Sequence, residues 1–261
     1  MRRTRLNGFP TEVPEYIRSR FEAADIYDSS CSPEARVYFI DADGGYFLKR
    51  GSVRTLEREV RLTHYFNVMG IGARVLSYTT DTYDWMLTER VIGEDCTHRT
   101  YLEDPMRLSA LLGERLRELH SLPTGLCPIK NRTEEYLNTA LENYRTENYD
   151  TSQFPDSFGY RSADEAYAAL KDGMAGLRSD VLIHGDFCLP NIMLDSWRPT
   201  GYIDVGNGGI GDRHIDLFWG TWTLWFNLKT DRYTDRFLDA YGRDRVDPEL
   251  IRTVAAAEVF G

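Results

Sequence analysis

An acid, an amide and a second acid lie within one short stretch of this chain. Asp186 is followed five residues later by Asn191, and Asp204 lies eighteen residues beyond Asp186. A carboxylate can orient a hydroxyl and accept its proton, while carboxylate and amide oxygens are the ligands that Mg²⁺ prefers. Phosphoryl transfer needs little more from a protein than such positioning and charge neutralisation. The spacing therefore predicts an ATP-dependent kinase with Asp186 as catalytic base and Asn191 and Asp204 as magnesium ligands.

Short apolar runs are expected to hold these side chains in place. Residues 181–183 precede the stretch and residues 192–194 follow Asn191, and both runs are typical of buried strands. A third run, residues 201–203, leads directly into Asp204. His184 follows the first run, and we predict that it braces the loop rather than acting as an acid or base.

Upstream, a lysine ends a predicted strand and two glutamates follow on a predicted helix. Lys49 ends the strand, and Ser52 is expected to cap a helix over residues 52–69 that carries Glu57 and Glu59 in its early turns. Protein kinases hold the phosphates of the nucleotide with a Lys–Glu pair from two such elements. We therefore expect Lys49 to contact ATP and one of the two glutamates to pair with it.

The residues around Lys49 predict a small antiparallel β lobe of at most five strands. The predicted strands cover residues 35–40, 46–49, 74–79 and 84–88, after a first helix over residues 11–24. The hydroxyl-rich loop 28–33, which contains Ser32, could cover the nucleotide phosphates with its backbone N–H groups and hydroxyls. Thr88, Glu89 and Arg90 lie where the hinge of a bilobal kinase can bond adenine.

From residue 104 the sequence pattern becomes helical. Asp104 is expected to cap the first of these helices, and Ser162 begins a capping box farther on. Other helices are predicted over residues 133–147, 212–228, 230–241 and 247–260. The aromatic side chains of the helix over 212–228 are predicted to fill the core; they are Trp219, Trp222, Trp225 and Phe226. The polar and aromatic stretch 148–161 is a lid candidate.

Composition disfavours several classes of partner. The 261 residues carry a formal net charge of −10, which disfavours nucleic acid and is compatible either with steering of a cationic substrate or with solubility alone. No stretch reaches the ~20 apolar residues of a membrane helix, and no apolar run follows the basic start as in a secretion signal. The four scattered cysteines form no CxxC pair, which predicts reduced thiols in a cytoplasmic protein.

Other reaction classes fit the chain less well. There is no GxxxxGK[ST] motif for a P-loop ATPase and no GxSxG motif for a hydrolase. A metal hydrolase that uses His184, Asp186 and Asp204 would need further histidines close by. A pseudokinase that binds ligands without catalysis remains an alternative, although Lys49, Asp186, Asn191 and Asp204 are all present.

Two segments carry a resemblance to a known family. Residues 184–191 (HGDFCLPN) and 203–217 (IDVGNGGIGDRHIDL) closely resemble the aminoglycoside 3′-phosphotransferases, which belong to the kinase-like small-molecule phosphotransferases. The likeness covers nearly the whole chain, and residues 188–190 favour this family over choline or homoserine kinases. It implies an α+β, bilobal, protein-kinase-like fold. An ATP-binding lobe of antiparallel β structure would cover residues 1–90, and a larger, mainly helical catalytic and substrate-binding lobe residues 91–261.

The resemblance also implies roles for particular residues. Asp186 would be the catalytic base, Asn191 and Asp204 would hold Mg²⁺, and Glu59 rather than Glu57 would pair with Lys49. Asp216 would brace the catalytic loop. The expected partners are therefore ATP, Mg²⁺ and a small cationic acceptor, with no nucleic acid and no membrane, and the chain would act as a monomer or dimer.

The acceptor implied by the resemblance is an aminoglycoside, phosphorylated on its 3′-hydroxyl to give resistance. The residues expected to bind it are Asp156, Asn227, Glu258 and Gly261 with its terminal carboxylate. Asn207 stands where family members carry Arg, Asn227 stands where an acid is expected, and the C-terminus has one acid fewer and one residue more. A kinase of another small alcohol or amino sugar is the alternative.

Overall fold

The structure is a computed structural model that describes residues 3–31, 35–150 and 158–261. The chain folds into two compact units, of which the first comprises residues up to Asp95 together with 193–206. The second comprises residues 96–192 and 207–261. The segment 193–206 thus belongs to the first unit, although the sequence analysis grouped every residue after 90 together. The assignment of ATP binding and substrate binding to separate lobes stays a prediction.

Within the described residues the structure has both strands and α-helices. The strands are β1 (Thr4–Arg5), β2 (Asp25–Asp28), β3 (Arg36–Asp41), β4 (Tyr46–Gly51), β5 (Val75–Thr80), β6 (Asp84–Glu89), β7 (Glu94–Asp95), β8 (Val181–Ile183), β9 (Ile192–Asp195), β10 (Arg198–Tyr202) and β11 (Gly209–Gly211). The helices are α1 (Glu15–Arg20), α2 (Glu57–Val68), α3 (Arg99–Leu102), α4 (Pro105–Leu119), α5 (Arg132–Arg145), α6 (Ala163–Gly173), α7 (Arg213–Leu228), α8 (Thr234–Tyr241) and α9 (Pro248–Glu258).

An antiparallel sheet in the order β1-β2-β3-β4-β6-β5 forms the first unit. The predicted hairpin of β3 and β4 is confirmed, and its turn has positive φ at Asp43, Gly44 and Gly45. Glycine adopts such φ values without steric cost, which allows Gly45 N to donate to Ala42 O at 2.7 Å. The turn sets the register that places Lys49 in the middle of the sheet, opposite residues of both β3 and β6.

The prediction of at most five strands is wrong, because this sheet has six. The additional strands, β1 and β2, span two and four residues. Such short runs give little alternation of apolar and polar residues, so a sequence pattern cannot distinguish them from loops. Strand β1 pairs with β2 and β2 pairs with β3, through backbone hydrogen bonds between distant segments.

Both helices of the first unit begin later than predicted. Helix α1 begins at Glu15 rather than near residue 11, because Pro14 disfavours a helical conformation at the residue before it. Helix α2 begins at Glu57, and the predicted Ser52 cap is wrong. The N–H of Leu56 donates instead to Asp84 Oδ2 at 2.9 Å, so a carboxylate from β6 performs the capping.

The second unit is mainly helical, with a small antiparallel pair of β8 and β11. Aspartates cap three of its helices: Asp104 caps α4, Asp212 caps α7 and Asp247 caps α9. Helices α4 and α8 pack closely, since a Cβ added at Gly113 would lie 2.3 Å from the Phe237 carbonyl oxygen. None of the described helices has the length and apolar composition needed to cross a membrane.

The prediction that the aromatic residues of α7 fill the core is only partly right. Trp219 and Trp222 are half-buried against the core of the second unit, whereas Trp225 and Phe226 are 36% and 46% exposed. The same face is buried near the start of the helix, where Ile215 and Phe218 belong to the core of the second unit. The aromatic row therefore extends along α7 from the core to the surface.

Candidate active site

In the first unit, Lys49 is held between two carboxylates. Its Nζ donates to Glu59 Oε1 and Oε2 at 2.9 and 2.7 Å, and to Asp204 Oδ1 at 2.9 Å. Burial opposes the charged form of Lys49, but the two carboxylates outweigh it and raise the pKa of the ammonium above its usual value. Burial also raises the pKa of Glu59 against the pull of Lys49. We take the pair as charged, because both oxygens of Glu59 accept hydrogen bonds from the ammonium.

Asp204 lies on a loop with an unusual backbone conformation. Its φ of 57° is in the left-handed region, which residues other than glycine adopt infrequently and Asp more readily than most. Arg58 Nε donates to the Gly206 carbonyl at 2.9 Å, which ties the loop to α2. A strained residue held in place by its surroundings is common at functional sites.

In the second unit, Asp186 and Asn191 contact each other within one tight loop. Asn191 Nδ2 donates to the Asp186 carbonyl at 3.0 Å and to its Oδ2 at 2.8 Å. Cys188 lies between them, and burial followed by the charge of Asp186 raises the pKa of its thiol well above the usual range. The thiol therefore stays protonated, which argues against thiolate chemistry at this loop.

The backbone before Asp186 is fixed by a buried carboxylate. Asp216 accepts hydrogen bonds from the N–H groups of His184 and Gly185, both at 2.7 Å. Gly185 has a φ of 80°, and a Cβ there would lie 2.0 Å from the Asn207 carbonyl oxygen, so only glycine fits. His184 Nδ1 in turn accepts from the Asp186 N–H at 3.3 Å. His184 and Asp216 thus lie where the sequence analysis expects supporting residues.

Asp216 is itself held by two residues from other helices. His120 Nε2 lies 3.1 Å from Asp216 Oδ2, and His120 Nδ1 lies 2.9 Å from the hydroxyl of Tyr241. A carboxylate only accepts, so we assign the imidazole proton to Nε2 and the acceptor role to Nδ1. The chain of hydrogen bonds runs from α8 through the end of α4 to the loop that carries Asp186.

Asn227, a predicted acceptor-binding residue, makes its described hydrogen bonds within its own helix. Its Nδ2 donates to the carbonyl and to Oγ1 of Thr223 at 2.8 and 3.2 Å. Thr223 Oγ1 also accepts from Leu189 N–H at 3.1 Å. The amide nitrogen of Asn227 is therefore linked through Thr223 to the loop that carries Asp186, and only its oxygen remains for an acceptor.

Glu258, the last residue of α9, is a half-buried carboxylate with one engaged oxygen. Oε1 accepts from the Tyr136 hydroxyl at 2.8 Å and from Trp219 Nε1 at 3.0 Å. Oε2 accepts no hydrogen bond from the residues that the structure describes, and it faces Gly261. Burial raises the pKa of Glu258 to about 7, against those two donors, and the charge of Asp186 adds to the rise. A cation at Oε2 would stabilise the ionised form.

The other predicted site residues are distributed as follows. In the first unit, the N–H groups of Glu89 and Arg90 donate to the carbonyls of Arg74 and Gly45, so adenine could bond to these two amides only by displacing those contacts. Thr88 lies in β6, with its hydroxyl 3.5 Å from the Phe47 carbonyl. Ser32 and Asp156 lie outside the described residues, as does much of the lid candidate 148–161.

Sequence reasoning did not find several supporting residues. No motif marks these residues, which are Tyr136, Trp219, Thr223, Tyr241 and His120. Each acts through a contact with a residue far away in sequence, such as the 122 residues between Tyr136 and Glu258. A search for polar residues at otherwise apolar positions of helices is the signal that could have found His120 and Thr223, both of which are buried.

Each unit, taken by itself, offers an oxygen donor of the kind that magnesium prefers: an amide in the second unit and a carboxylate in the first. Asn191 is bonded through its nitrogen, which leaves its carbonyl oxygen for a cation, and Asp204 Oδ2 accepts from no described residue. Across the described ranges, no group of three or more His, Cys, Asp and Glu side chains could hold a metal. Magnesium in kinases is bound by one or two carboxylates together with substrate phosphates, and it neutralises the charge that develops on them.

Comparison with known proteins places this arrangement in a family. Residues 32–252 match the pattern of the phosphotransferase enzyme family. The chain is 46% identical over 251 residues to a probable aminoglycoside 3′-phosphotransferase of Lactococcus lactis subsp. lactis (strain IL1403), covering 96% of this chain and 95% of that protein. It is 30% identical over 177 residues to an aminoglycoside 3′-phosphotransferase of Niallia circulans, covering 68% and 67%.

A solved structure gives the same result for the fold. The crystal structure of an aminoglycoside-3′-phosphotransferase of type VIII matches with a TM-score of 0.75 and 24% identity, over 94% of this chain and 97% of that one. This confirms the kinase-like α+β fold, and the family match confirms an ATP-dependent phosphotransferase. The chain belongs to the phosphotransferase enzyme family.

Proposed function

We propose that this protein transfers the γ-phosphate of ATP to the 3′-hydroxyl of an aminoglycoside of the kanamycin or neomycin type, which gives resistance to the antibiotic. The observation that carries the acceptor is the 46% identity, over 96% of the chain, to a probable aminoglycoside 3′-phosphotransferase. The contacts of Lys49 and of Asp186 support the reaction type. The free oxygen of Glu258 supports a cationic acceptor.

The proposed roles follow from the contacts of each side chain. Asp186, with one oxygen bonded to Asn191, accepts the proton of the attacking hydroxyl and aims its oxygen. Lys49 contacts the phosphates of ATP while Glu59 holds its ammonium in place. Asn191 and Asp204 would hold Mg²⁺, which neutralises phosphate charge when bound. Since Asp204 already accepts from Lys49, nucleotide binding would exchange this contact for one to the metal.

The proposed acceptor site rests on acids rather than on a shaped apolar pocket. Glu258 Oε2, which faces Gly261, offers a negative group to an ammonium group of an aminoglycoside. A desolvated ammonium–carboxylate contact is a charge-assisted hydrogen bond and is stronger than a neutral one. Asp156 is a further proposed contact, outside the described residues. Use of ATP and four free thiols support a cytoplasmic location.

The test is a coupled assay of ADP release with kanamycin, neomycin and a panel of amino sugars and small alcohols. We expect aminoglycoside-dependent turnover by the wild type, and loss of roughly three orders of magnitude or more in kcat for Asp186→Ala, since the base is removed. Asp172→Ala, an exposed carboxylate of α6 in the same unit, is the matched control and should keep full activity.

The outcomes separate the alternatives. Turnover of another alcohol without turnover of any aminoglycoside would replace the proposed acceptor, a possibility that Asn207 and Asn227 keep open. An inactive wild type across the whole panel would favour a pseudokinase. Phosphorus NMR of the product identifies the hydroxyl that is phosphorylated.

A further inference from the structure

A row of aromatic rings connects Glu258 with the surface of the second unit. Trp219 donates to Glu258 Oε1 at 3.0 Å, and its ring packs edge-on against Trp222 with centroids 5.3 Å apart. Trp222 then stacks on Phe226, with centroids 4.8 Å apart and planes within 10°. Phe226 is 46% exposed, so the row ends in solvent.

Packing alone does not account for an indole at position 222. Trp222 Nε1 is buried without a hydrogen-bond partner among the described residues, and such an orphaned donor is unfavourable. A phenyl ring or a leucine would fill space there without that cost. An indole does offer the aromatic face that attracts a cation most strongly.

The outer end of the row already binds a cation. Lys229 Nζ lies 4.2 Å from the centroid of Phe226, whose other face is covered by the stacked Trp222. Lys229 follows α7 with a φ of 56°, and its side chain is exposed. The ammonium of Lys229 therefore occupies the face where an ammonium of a ligand would bind.

We propose that Trp222 and Phe226, with Lys229 as an internal competitor, form a cation–π subsite for a second ammonium group of the acceptor. This rests on the proposed function, since Glu258 Oε2 takes one ammonium and the aromatic row leads from that carboxylate to the subsite. An aminoglycoside carries ammonium groups on more than one ring, so one molecule can reach both. The subsite favours acceptors that carry at least two separated ammonium groups. Its aromatic rings bind the second ammonium group, a role that a carboxylate would otherwise have.

Two substitutions with opposite expected effects test this subsite. Phe226→Leu removes the ring face but keeps an apolar side chain, and we expect the KM for kanamycin or neomycin to rise roughly two- to fivefold. Lys229→Gln removes the competing ammonium, and we expect the same KM to fall by a similar factor. Neither change should alter kcat or the KM for ATP, because neither residue contacts Lys49, Asp186 or Asn191 in the structure.

Leu126→Ala is the matched control, since Leu126 is an apolar side chain of the same unit that is 86% exposed. It should leave every constant unchanged. Calorimetric titration of each protein with kanamycin measures binding independently of turnover, and light scattering measures its oligomeric state.

The results distinguish failure of the subsite from failure of the proposed function. If the wild type turns over aminoglycosides but neither variant shifts the acceptor KM, the subsite is wrong and the proposed function stands. If the wild type neither binds nor phosphorylates them, the proposed function fails. If Phe226→Leu instead converts a dimer to a monomer, the aromatic row is an interface between two copies, which also overturns the subsite.

Discussion

At the scale of single residues, Glu258 combines burial with an unpaired oxygen. Burial raises its pKa from 4.5 to about 7, so the folded protein holds this proton more tightly than the unfolded chain does. Its contribution to stability is therefore fully present at low pH and is lost as the pH rises through about 7. Acceptor binding has the opposite dependence, because an ammonium group pairs with the carboxylate form.

We therefore predict that the KM for an aminoglycoside falls as the pH rises from about 6 to about 8, beyond the change caused by the amines of the acceptor. The measurement is the acceptor KM against pH for the wild type and for Glu258→Gln, which keeps the size and hydrogen bonding of the side chain. The variant should lack this part of the pH dependence. Identical profiles would remove Glu258 from acceptor binding.

Lys49 and Glu59 form the second residue-scale case. Removing one partner of a buried ion pair leaves the other charge uncompensated, whereas removing both does not. We predict that Lys49→Met lowers the free energy of unfolding by about 3 kcal/mol, and that Lys49→Met combined with Glu59→Leu recovers part of the loss. Urea unfolding measures both. A double variant less stable than Lys49→Met alone would show that the pair is not coupled as the structure indicates.

At the scale of secondary structure elements, three helices meet at one carboxylate. Asp216 of α7 is reached by His120 at the end of α4, and His120 by Tyr241 of α8. Burial raises the pKa of Tyr241 to about 12, so its hydroxyl remains a donor at neutral pH. The packing of these helices is thereby coupled to the backbone that carries Asp186.

We predict that His120→Phe lowers stability by about 2 kcal/mol, because it removes the hydrogen bonds that the buried imidazole makes to the Tyr241 hydroxyl and to Asp216 Oδ2. Tyr241→Phe should lower it by about 1 kcal/mol, since His120 loses its contact with Tyr241 but keeps the one with Asp216. Because the loop that carries Asp186 would be held less firmly in His120→Phe, kcat should also fall roughly tenfold, with little change in the KM for ATP. An unchanged kcat in a folded His120→Phe protein would limit this network to stability.

At the scale of the whole molecule, the net charge is −10. This charge has two interpretations, solubility alone and electrostatic steering of a cationic substrate. Steering acts over distances comparable to the Debye length, so salt weakens it, whereas a role in solubility leaves the encounter rate unaffected.

We predict that kcat/KM for a cationic aminoglycoside falls several-fold when the ionic strength rises from about 0.02 M to about 0.2 M. The value for ATP, an anion, should fall less or rise under the same conditions. Steady-state rates at fixed pH in potassium chloride measure both. Equal responses of the two substrates would favour solubility as the reason for the charge.

Local signals account for the parts that the sequence analysis predicted well. The hairpin of β3 and β4 follows from its turn residues, and the predicted caps Asp104 and Ser162 lie next to α4 and α6, which they cap. The contact of Asp186 with Asn191 spans five residues. Short-range geometry of this kind is nearly fixed by residue type and spacing, so it can be inferred before any tertiary structure is known.

Errors arise where a distant residue decides the outcome. Asp84 replaces Ser52 as the partner of the α2 N-terminus across 28 residues, and β1 and β2 are strands only because β3 lies beside them. Trp225 and Phe226 have the spacing of a core face, yet the core ends before that face reaches them along α7. Helical periodicity indicates that side chains share a face but not what that face will contact.

For this protein, the sequence by itself indicated a phosphotransferase, through two acids, an amide and a lysine with an acidic partner that are marked by type and spacing. Only the tertiary structure decided how those groups are supported and tuned. The burial of Glu258 between Tyr136 and Trp219, and the hydrogen bonds from Tyr241 through His120 to Asp216, join residues 39 to 122 positions apart. Desolvation and long-range hydrogen bonds depend on which surfaces meet, and local residue patterns do not specify that.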